Sequence, residues 1–565
     1  MKARFPAVCA LLLPMLASTV LAEDVDLGVI HRIKDQAFNH SKVMDYLNDI
    51  ADENGPRVSG SPGFRQAAEK AVADFREAGV EKAGLESWGT FGRGWSWTRI
   101  AVQMERPQET TLMAIPADWS AATDGPVSGA VVFAPMWDRG EPPQTGDLVK
   151  WAEHIEQWKD RYRGKLAGKI VMLDQPVEFQ LPEKPETFRF SPEDLAEMGQ
   201  ALEPGKKPPL VWPLIRVPVD QDVKKRVWDD LPLAVQADRW LLDLRLKNRV
   251  AAFLRDEGVR AVLKTSRAQV AAVIRSSDFG SWRDGDPIPP PTAVLMPEQY
   301  SRLHRLLERG VPVEVSVDVD AQFNGPGVDG LNVIAELPAR GRDPELVMLG
   351  AHLDSWHLAT GATDNASGSA VVMEVMRILK ALDLDMKRTV RAALWSGEEQ
   401  CLCGSRGYVA EHFGDPVTMR LKPAHRKLSV YFNLDNGSGK IRGVYLQGND
   451  MARPIFDAWL APFADLGVTG GATITNTDGT DHLSFHDVGL PGFQFVQDPL
   501  DYDVNTHHTN VDDVSHVSEG DLMQAAAVMA TAVYHAAVRD GMMPRPPLPE
   551  PLPPKQPLPE ILRGK

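Results

Sequence analysis

The chain has 565 residues, 43% of them hydrophobic and 24% charged. That composition excludes a disordered or collagen-like chain and predicts two to four domains. Lys and Arg number 61 against 77 Asp and Glu, a net charge of −16, so the general electrostatic drive toward nucleic acid is absent.

The chain begins Met1-Lys2-Ala3-Arg4, followed by an apolar run from Phe5 to Leu21 with small residues at Ala17, Ser18 and Ala22. This reads as a secretory signal peptide over 1–22. The run contains Pro14 and is short for a bilayer span, so no stable membrane anchor is expected after cleavage. The mature protein is expected in the periplasm or outside the cell. It keeps only Cys401 and Cys403. A chain of this size needs no disulfide framework, and a bond between cysteines two apart would be strained. Both are therefore expected as free, buried thiols.

Residues 23–110 open with a helical pattern over 41–80, in which Ala67, Ala68, Ala71, Val72, Phe75 and Ala78 recur at helical spacing. The loop Gly55-Pro56-Arg57-Val58-Ser59-Gly60-Ser61 precedes that run. Over 111–322 the pattern changes to an inserted, mostly β module. Its strands are expected at Ala130–Phe133, Lys169–Leu173 and Gly258–Leu263, and along the alternating valines from Val311 to Val319. Over 323–542 short apolar runs alternate with helical patterns. Strands are expected at Asn332–Leu337, Leu346–Ala351, Val390–Trp395, Leu428–Leu434, Gly443–Gln447 and Gly492–Val496, and helices over Ala366–Leu382 and Asp521–Val538. Such alternation predicts an α/β fold, a mixed and mostly parallel sheet flanked by helices, with ligands beyond the carboxyl ends of the strands. The tail, 543–565, holds nine prolines from Pro544 onward and is expected to be extended and mobile.

Metal-ligand residue types cluster where these strands end. His352-Leu353-Asp354 follows the strand from Leu346; a histidine ligand with a nearby orienting carboxylate has this spacing. Asp364 stands just before a helix, where a helix cap is the plain alternative. Glu398-Glu399 closes another strand, and two adjacent buried carboxylates are costly without a cation or a role. One suits metal binding and the other suits accepting a proton from water. Asp435 follows a fourth strand, and His507-His508 offers an imidazole in a polar loop. Two histidines and three carboxylates, with one carboxylate to spare, suit two zinc ions sharing an aspartate. Nitrogen and oxygen ligands without thiolate fit zinc and admit manganese or cobalt.

The ordered series H-L-D, T-D-N-A-S-G, S-G-E-E, N-L-D and H-H-T resembles the co-catalytic zinc exopeptidases, the family of bacterial aminopeptidases and glutamate carboxypeptidases. The Gly55–Ser61 and Gly92-Arg93-Gly94-Trp95 stretches are most similar to its carboxypeptidase Q branch, and the section around Gly168-Lys169-Ile170-Val171 resembles a protease-associated domain. The resemblance covers about 325–540 well. It implies that His352 and Asp435 hold one zinc, that Glu399 and His508 hold the other, and that Asp364 bridges them. Glu398 is implied as general base and Asp354 as an orienting carboxylate. His507 is the nearest competitor to His508, and His482 a weaker one; Asp478 and Asp481 are candidates to line the pocket. The implied reaction is hydrolysis of the peptide bond next to a free N-terminus, by an aminopeptidase or dipeptidase acting on peptides. The inserted module offers two roles, narrowing access to the site or pairing subunits in a homodimer. The alternatives are a carboxypeptidase of the glutamate carboxypeptidase type, which needs an arginine cluster for the substrate carboxylate, and a non-catalytic binding protein like the transferrin receptor ectodomain.

Overall fold

The computed structural model describes residues 23–137, 146–179, 185–200, 210–218, 227–228, 231–268, 270–277, 279–339, 344–477 and 479–563. The signal-peptide expectation over 1–22 and the pocket candidate Asp478 lie outside the described residues.

Two eight-stranded sheets organise the chain. The first runs, in spatial order, Lys82–Gly92, Val328–Leu337, Thr389–Trp395, Leu346–His352, Leu428–Asn433, Gly492–Gln497, Ile441–Tyr445 and Gly471–Thr473. Its four central strands, from Thr389–Trp395 to Gly492–Gln497, are mutually parallel. Leu346–His352, Leu428–Asn433 and Gly492–Gln497 are buried at every position. Burial on both faces is why these strands read as continuous apolar runs. On one face the helices Ser367–Leu382 and Glu519–Val538 pack against the sheet and each other. On the other, Trp395, Tyr408, Tyr431 and Phe485 form a separate apolar layer beneath the helices Cys403–His412 and His482–His486. The expected α/β class is therefore the observed one.

The second sheet runs Thr110–Leu112, Trp95–Arg106, Glu314–Phe323, Val127–Phe133, Ile170–Met172, Ala261–Thr265, Thr292–Leu295 and Ala114–Pro116. It takes one of its long strands from Trp95–Arg106, N-terminal to the expected boundary at 111. The alternating valines behave as expected: Val315, Val317 and Val319 face the core from Glu314–Phe323. The expectation of a mostly β module is corrected. Three substantial helices, Leu148–Tyr162, Leu233–Asp256 and Pro297–Glu308, belong to this section. The longest hid from periodicity because its buried side includes Gln236, Arg239 and Asn248 beside Leu242, Leu246 and Val250.

Two further expectations are corrected. Cys401 and Cys403 form a disulfide rather than free thiols. The proline-rich tail is extended but docked: the Leu552 N–H donates to Val417 O at 2.9 Å, the Gln556 N–H to Trp212 O at 2.9 Å, and Leu562 is buried. Among the described residues, no helix is long and apolar enough to cross a membrane.

Candidate metal centre

The strand pattern delivers the acidic and imidazole side chains to one edge. His352 is the last residue of its strand, Asp435 comes two residues after Leu428–Asn433, and Glu398 and Glu399 open a short helix after Thr389–Trp395. These are the carboxyl ends of parallel strands, where α/β folds place ligands. Asp364 sits in the turn leading into Ser367–Leu382, and His508 lies in the loop after Gly492–Gln497.

Asp364 stands between two sets of partners. Its Oδ1 is 3.3 Å from His352 Nε2, which in turn lies 3.2 Å from Asp435 Oδ1. Its Oδ2 is 3.2 Å from His508 Nε2, which lies 2.9 Å from Glu399 Oε2. The expected pairs are thus brought together, with Asp364 shared between them. Potential ligand atoms gather within 4.8 Å of one another in three sets: His352, Asp364 and Glu399; His352, Glu398 and Asp435; and Asp364, His507 and His508. His507 Nε2 is farther from Asp364, at 4.0 Å, and its ring stacks on Tyr502. Burial, together with the neighbouring His508, pushes its pKa down to about 3. His482 is not in these groups; it contacts Gln447 and the carbonyl of Thr477.

The donor set fits a cation. Glu399 Oε1 and Asp364 Oδ2 are buried without a hydrogen-bond partner, the latter even though an imidazole nitrogen stands nearby. Buried carboxylate atoms of this kind are expensive unless a charge compensates them. Without a cation, burial and then the adjacent Asp364 push the Glu399 pKa up to about 7. Glu398 is raised well above its ordinary value, first by burial and further by the charges of Asp435, Asp481 and Glu399. Nitrogen and oxygen donors without thiolate suit zinc.

The surroundings fix the ligands. The His352 ring nitrogen Nδ1 meets the Asp354 backbone carbonyl at 2.9 Å, while the Asp354 carboxylate is 3.6 Å away. That carboxylate accepts from Ser59 Oγ at 2.9 Å and from the Glu398 N–H at 3.4 Å, so it also sets the start of the Glu398 helix. Two residues without a role in the sequence reading prove central. Asp512 accepts from the backbone N–H groups of Thr363 and Asp364 at 2.7 and 3.1 Å. Arg57 is fully buried and donates to the carbonyls of Leu353, Thr360 and Gly361, tying together the loops that carry His352 and Asp364. Arg57 lies in the Gly55–Ser61 motif and Asp512 four residues after His508, but nothing in the sequence said that they grip backbone.

The second-sheet section also holds the His508 loop. His508 has φ of +58°, an unfavourable conformation for a residue with a Cβ. Its carbonyl accepts the Ser276 N–H at 2.8 Å, and Asn510 exchanges hydrogen bonds with Ile274. A cleft of about 700 Å³ opens over the centre, lined by Glu398, Glu399 and His508 and also by Trp151, Lys247 and Arg267.

Imidazoles and carboxylates gathered at strand ends beneath such a cleft define a metallohydrolase. Residues 332–533 match Peptidase family M28. Carboxypeptidase Q of Rattus norvegicus is 25% identical over 507 residues, covering 89% of this chain and 87% of the relative. The peptidase M28 precursor from Shewanella amazonensis has a similar fold, with TM-score 0.62 and 21% identity over 92% of this chain and 98% of its own. A zinc aminopeptidase from Bacillus subtilis superposes with TM-score 0.51 at 18% identity, covering 88% and 95%. The chain is thus a zinc metallopeptidase whose residues 332–533 are similar to peptidase family M28.

Proposed function

We propose that the protein is an exported exopeptidase that hydrolyses the peptide bond next to a free N-terminus, with two zinc ions and with Glu398 as general base. The observation that carries this reading is the position of Asp364. One carboxylate oxygen faces His352 and the other faces His508, the arrangement a bridging ligand needs. Residues His352 and Asp435 would hold one ion, and Glu399 and His508 the other. When bound, the ions supply Lewis acidity, which makes water a nucleophile near neutral pH and polarises a carbonyl.

The remaining work belongs to side chains. Glu398 lines the cleft beside the ligands, the place for a group that accepts a proton from water and returns it to the leaving amine. The helix it opens is held by Asp354, and Asp354 by Ser59. Export is supported by the basic and apolar N-terminal sequence and by the Cys401–Cys403 disulfide, a bond that persists in oxidising compartments.

The test is Glu398→Gln. Turnover of a free-amino dipeptide should fall by about 10²–10⁴-fold, with zinc content by mass spectrometry unchanged. Substantial remaining turnover removes Glu398 from the role of base. Hydrolysis of N-acetylated peptides at their C-terminal residue would replace the aminopeptidase or dipeptidase reading with a carboxypeptidase.

A further inference from the structure

The sequence Cys401-Leu402-Cys403 follows the two glutamates of the metal centre after a single residue, Gln400, and the reaction proposed above leaves it without a role. Cys401 is the last residue of the one-turn helix Glu398–Cys401, and Cys403 is the first of the helix Cys403–His412. Their disulfide therefore joins the turn that carries both carboxylates to a longer helix. Cys401 and Leu402 line the cleft together with Glu398 and Glu399, and Cys403 is partly exposed.

A helix of one turn does not sustain itself. This one is bounded by left-handed residues, Gly397 with φ of +66° and Leu402 with φ of +51°, the second unfavourable for a residue with a Cβ. Its start is held from outside: Ser59 Oγ accepts the Gly397 N–H at 2.6 Å, and Asp354 accepts that of Glu398 at 3.4 Å. Its far end has fewer ties. Gln400 is buried, but neither of its amide atoms has a hydrogen-bond partner. Arg406 donates to the Cys401 carbonyl at 3.2 Å, and the N–H groups of Cys401 and Cys403 both donate to the Gly397 carbonyl, at 3.1 and 3.0 Å. A Cβ on Gly397 would lie 3.1 Å from Cys403 Cβ, so the second cysteine packs on the residue that precedes Glu398. The helix beyond Cys403 is firmly seated. The Gly404 N–H donates to Ser396 O at 2.8 Å, Asn332 donates to Gly404 O at 3.1 Å, and Tyr408 lies in the apolar layer beneath the first sheet. The disulfide passes that anchorage to the turn.

We propose that the Cys401–Cys403 bond sets Glu398 and Glu399 in their working positions, so that the chain reaches full zinc affinity and activity only once these thiols are oxidised. The cysteines are positioning residues that act through the glutamates. The proposal rests on the roles given above to Glu398 and Glu399 and adds a regulation of the same site. Thiols stay reduced in the cytosol, so an exported peptidase built this way is held back until it leaves. Oxidation passes two electrons and two protons from the thiols to a disulfide-bearing oxidant, which departs as a dithiol. The coupling is reciprocal: the factor by which the bond strengthens zinc binding is the factor by which zinc stabilises the bond.

The test uses the full chain in three forms: oxidised, reduced with a phosphine, and carrying Cys401→Ser with Cys403→Ser. The phosphine takes oxygen from water and becomes its oxide, while two electrons and the two protons of that water turn the disulfide into two thiols. It brings no thiol to compete for zinc, and the mass after alkylation verifies the reduction. Zinc affinity is read by competition with a chromogenic chelator. The reduced and double-serine forms should bind zinc about 10–100-fold more weakly than the oxidised form, the range for a group that orients a ligand, with circular dichroism unchanged. With Leu-Leu as substrate, kcat should fall in the same two forms and KM should change little. Oxidised glutathione should restore the reduced wild type and leave the double variant as it was. Equal zinc affinity in the oxidised and reduced forms overturns the proposal. So does a weakening that reoxidation does not reverse, or a phosphine effect that persists in the double variant. If the double variant does not fold, the reduced and reoxidised wild type decide by the same zinc measurement; if the phosphine leaves the bond intact, the double variant decides. Failure of the oxidised, zinc-loaded chain to cleave Leu-Leu counts against the exopeptidase reading alone, because zinc affinity is measured without substrate.

Discussion

Each oxygen of Asp364 faces a different imidazole. In the proposed two-zinc site, replacing it with alanine would remove a ligand from both halves at once. Asp364→Ala is therefore expected to lose both zinc ions, counted by mass spectrometry after gel filtration; two ions retained per chain would refute the bridging assignment. His352, Glu398, Glu399 and Asp435 stood out in sequence because each comes just beyond an apolar strand; Asp364, where a helix cap is the plain alternative, and His508, in a polar loop, were pointed to by the ordered motifs. Asp512 and Arg57 were not legible. They act on backbone N–H groups and carbonyls, which a pattern of side chains does not record, and only the folded loops bring those groups to them. The choice between His507 and His508 was likewise a matter of loop conformation. The positive φ of His508 and its hold on Ser276 aim one ring at Glu399 and leave its neighbour against Tyr502.

Among the elements, the helix Leu233–Asp256 depends on a residue far from it in sequence. Its N-cap, Pro232, supplies no side-chain acceptor, and Asp487 accepts the N–H groups of Leu233 and Ala234 at 3.0 and 3.2 Å instead. A carboxylate there satisfies two otherwise orphaned donors and meets the positive end of the helix dipole. Burial outweighs those bonds and pushes the Asp487 pKa up to about 6. A carboxyl group whose folded pKa is raised stabilises the fold below its unfolded pKa, near 3.9, and loses that contribution as pH rises through about 6. Asp487→Asn does not titrate. Its melting temperature relative to wild type should therefore rise between pH 5 and pH 8, and a fall over that interval would contradict the burial argument. This helix, unlike the central strands, escaped the sequence reading. The strands are buried on both faces and show it in composition, whereas the helix buries Gln236 and Arg239 against local partners that composition does not reveal.

For the whole molecule, the proline-rich tail joins what the two sheets separate. Arg545 donates to the carbonyls of His425 and Leu428 where the central strand Leu428–Asn433 of the first sheet begins, and Leu552 bonds Val417. Farther on, Gln556 reaches Trp212, Lys555 pairs with Asp238, and Leu562 enters the core that holds Ile155, Trp158 and Trp356. Proline content indicated an extended segment because proline cannot continue a helix or donate to a strand, but composition cannot say whether an extended segment has a surface to lie on. Here the tail meets backbone acceptors and an apolar socket, and proline lowers the entropy lost on docking. Burying one leucine side chain contributes about 1.5–3 kcal/mol. Deleting residues 544–565 should then lower the melting temperature of the second-sheet section by about 2–4 °C or more and speed proteolysis near Trp212. Because Ser276 and Ile274 of that section also hold the His508 loop, zinc should exchange faster from the shortened chain. An unchanged melting curve together with unchanged zinc exchange would mean that the tail lies on the surface without bracing it.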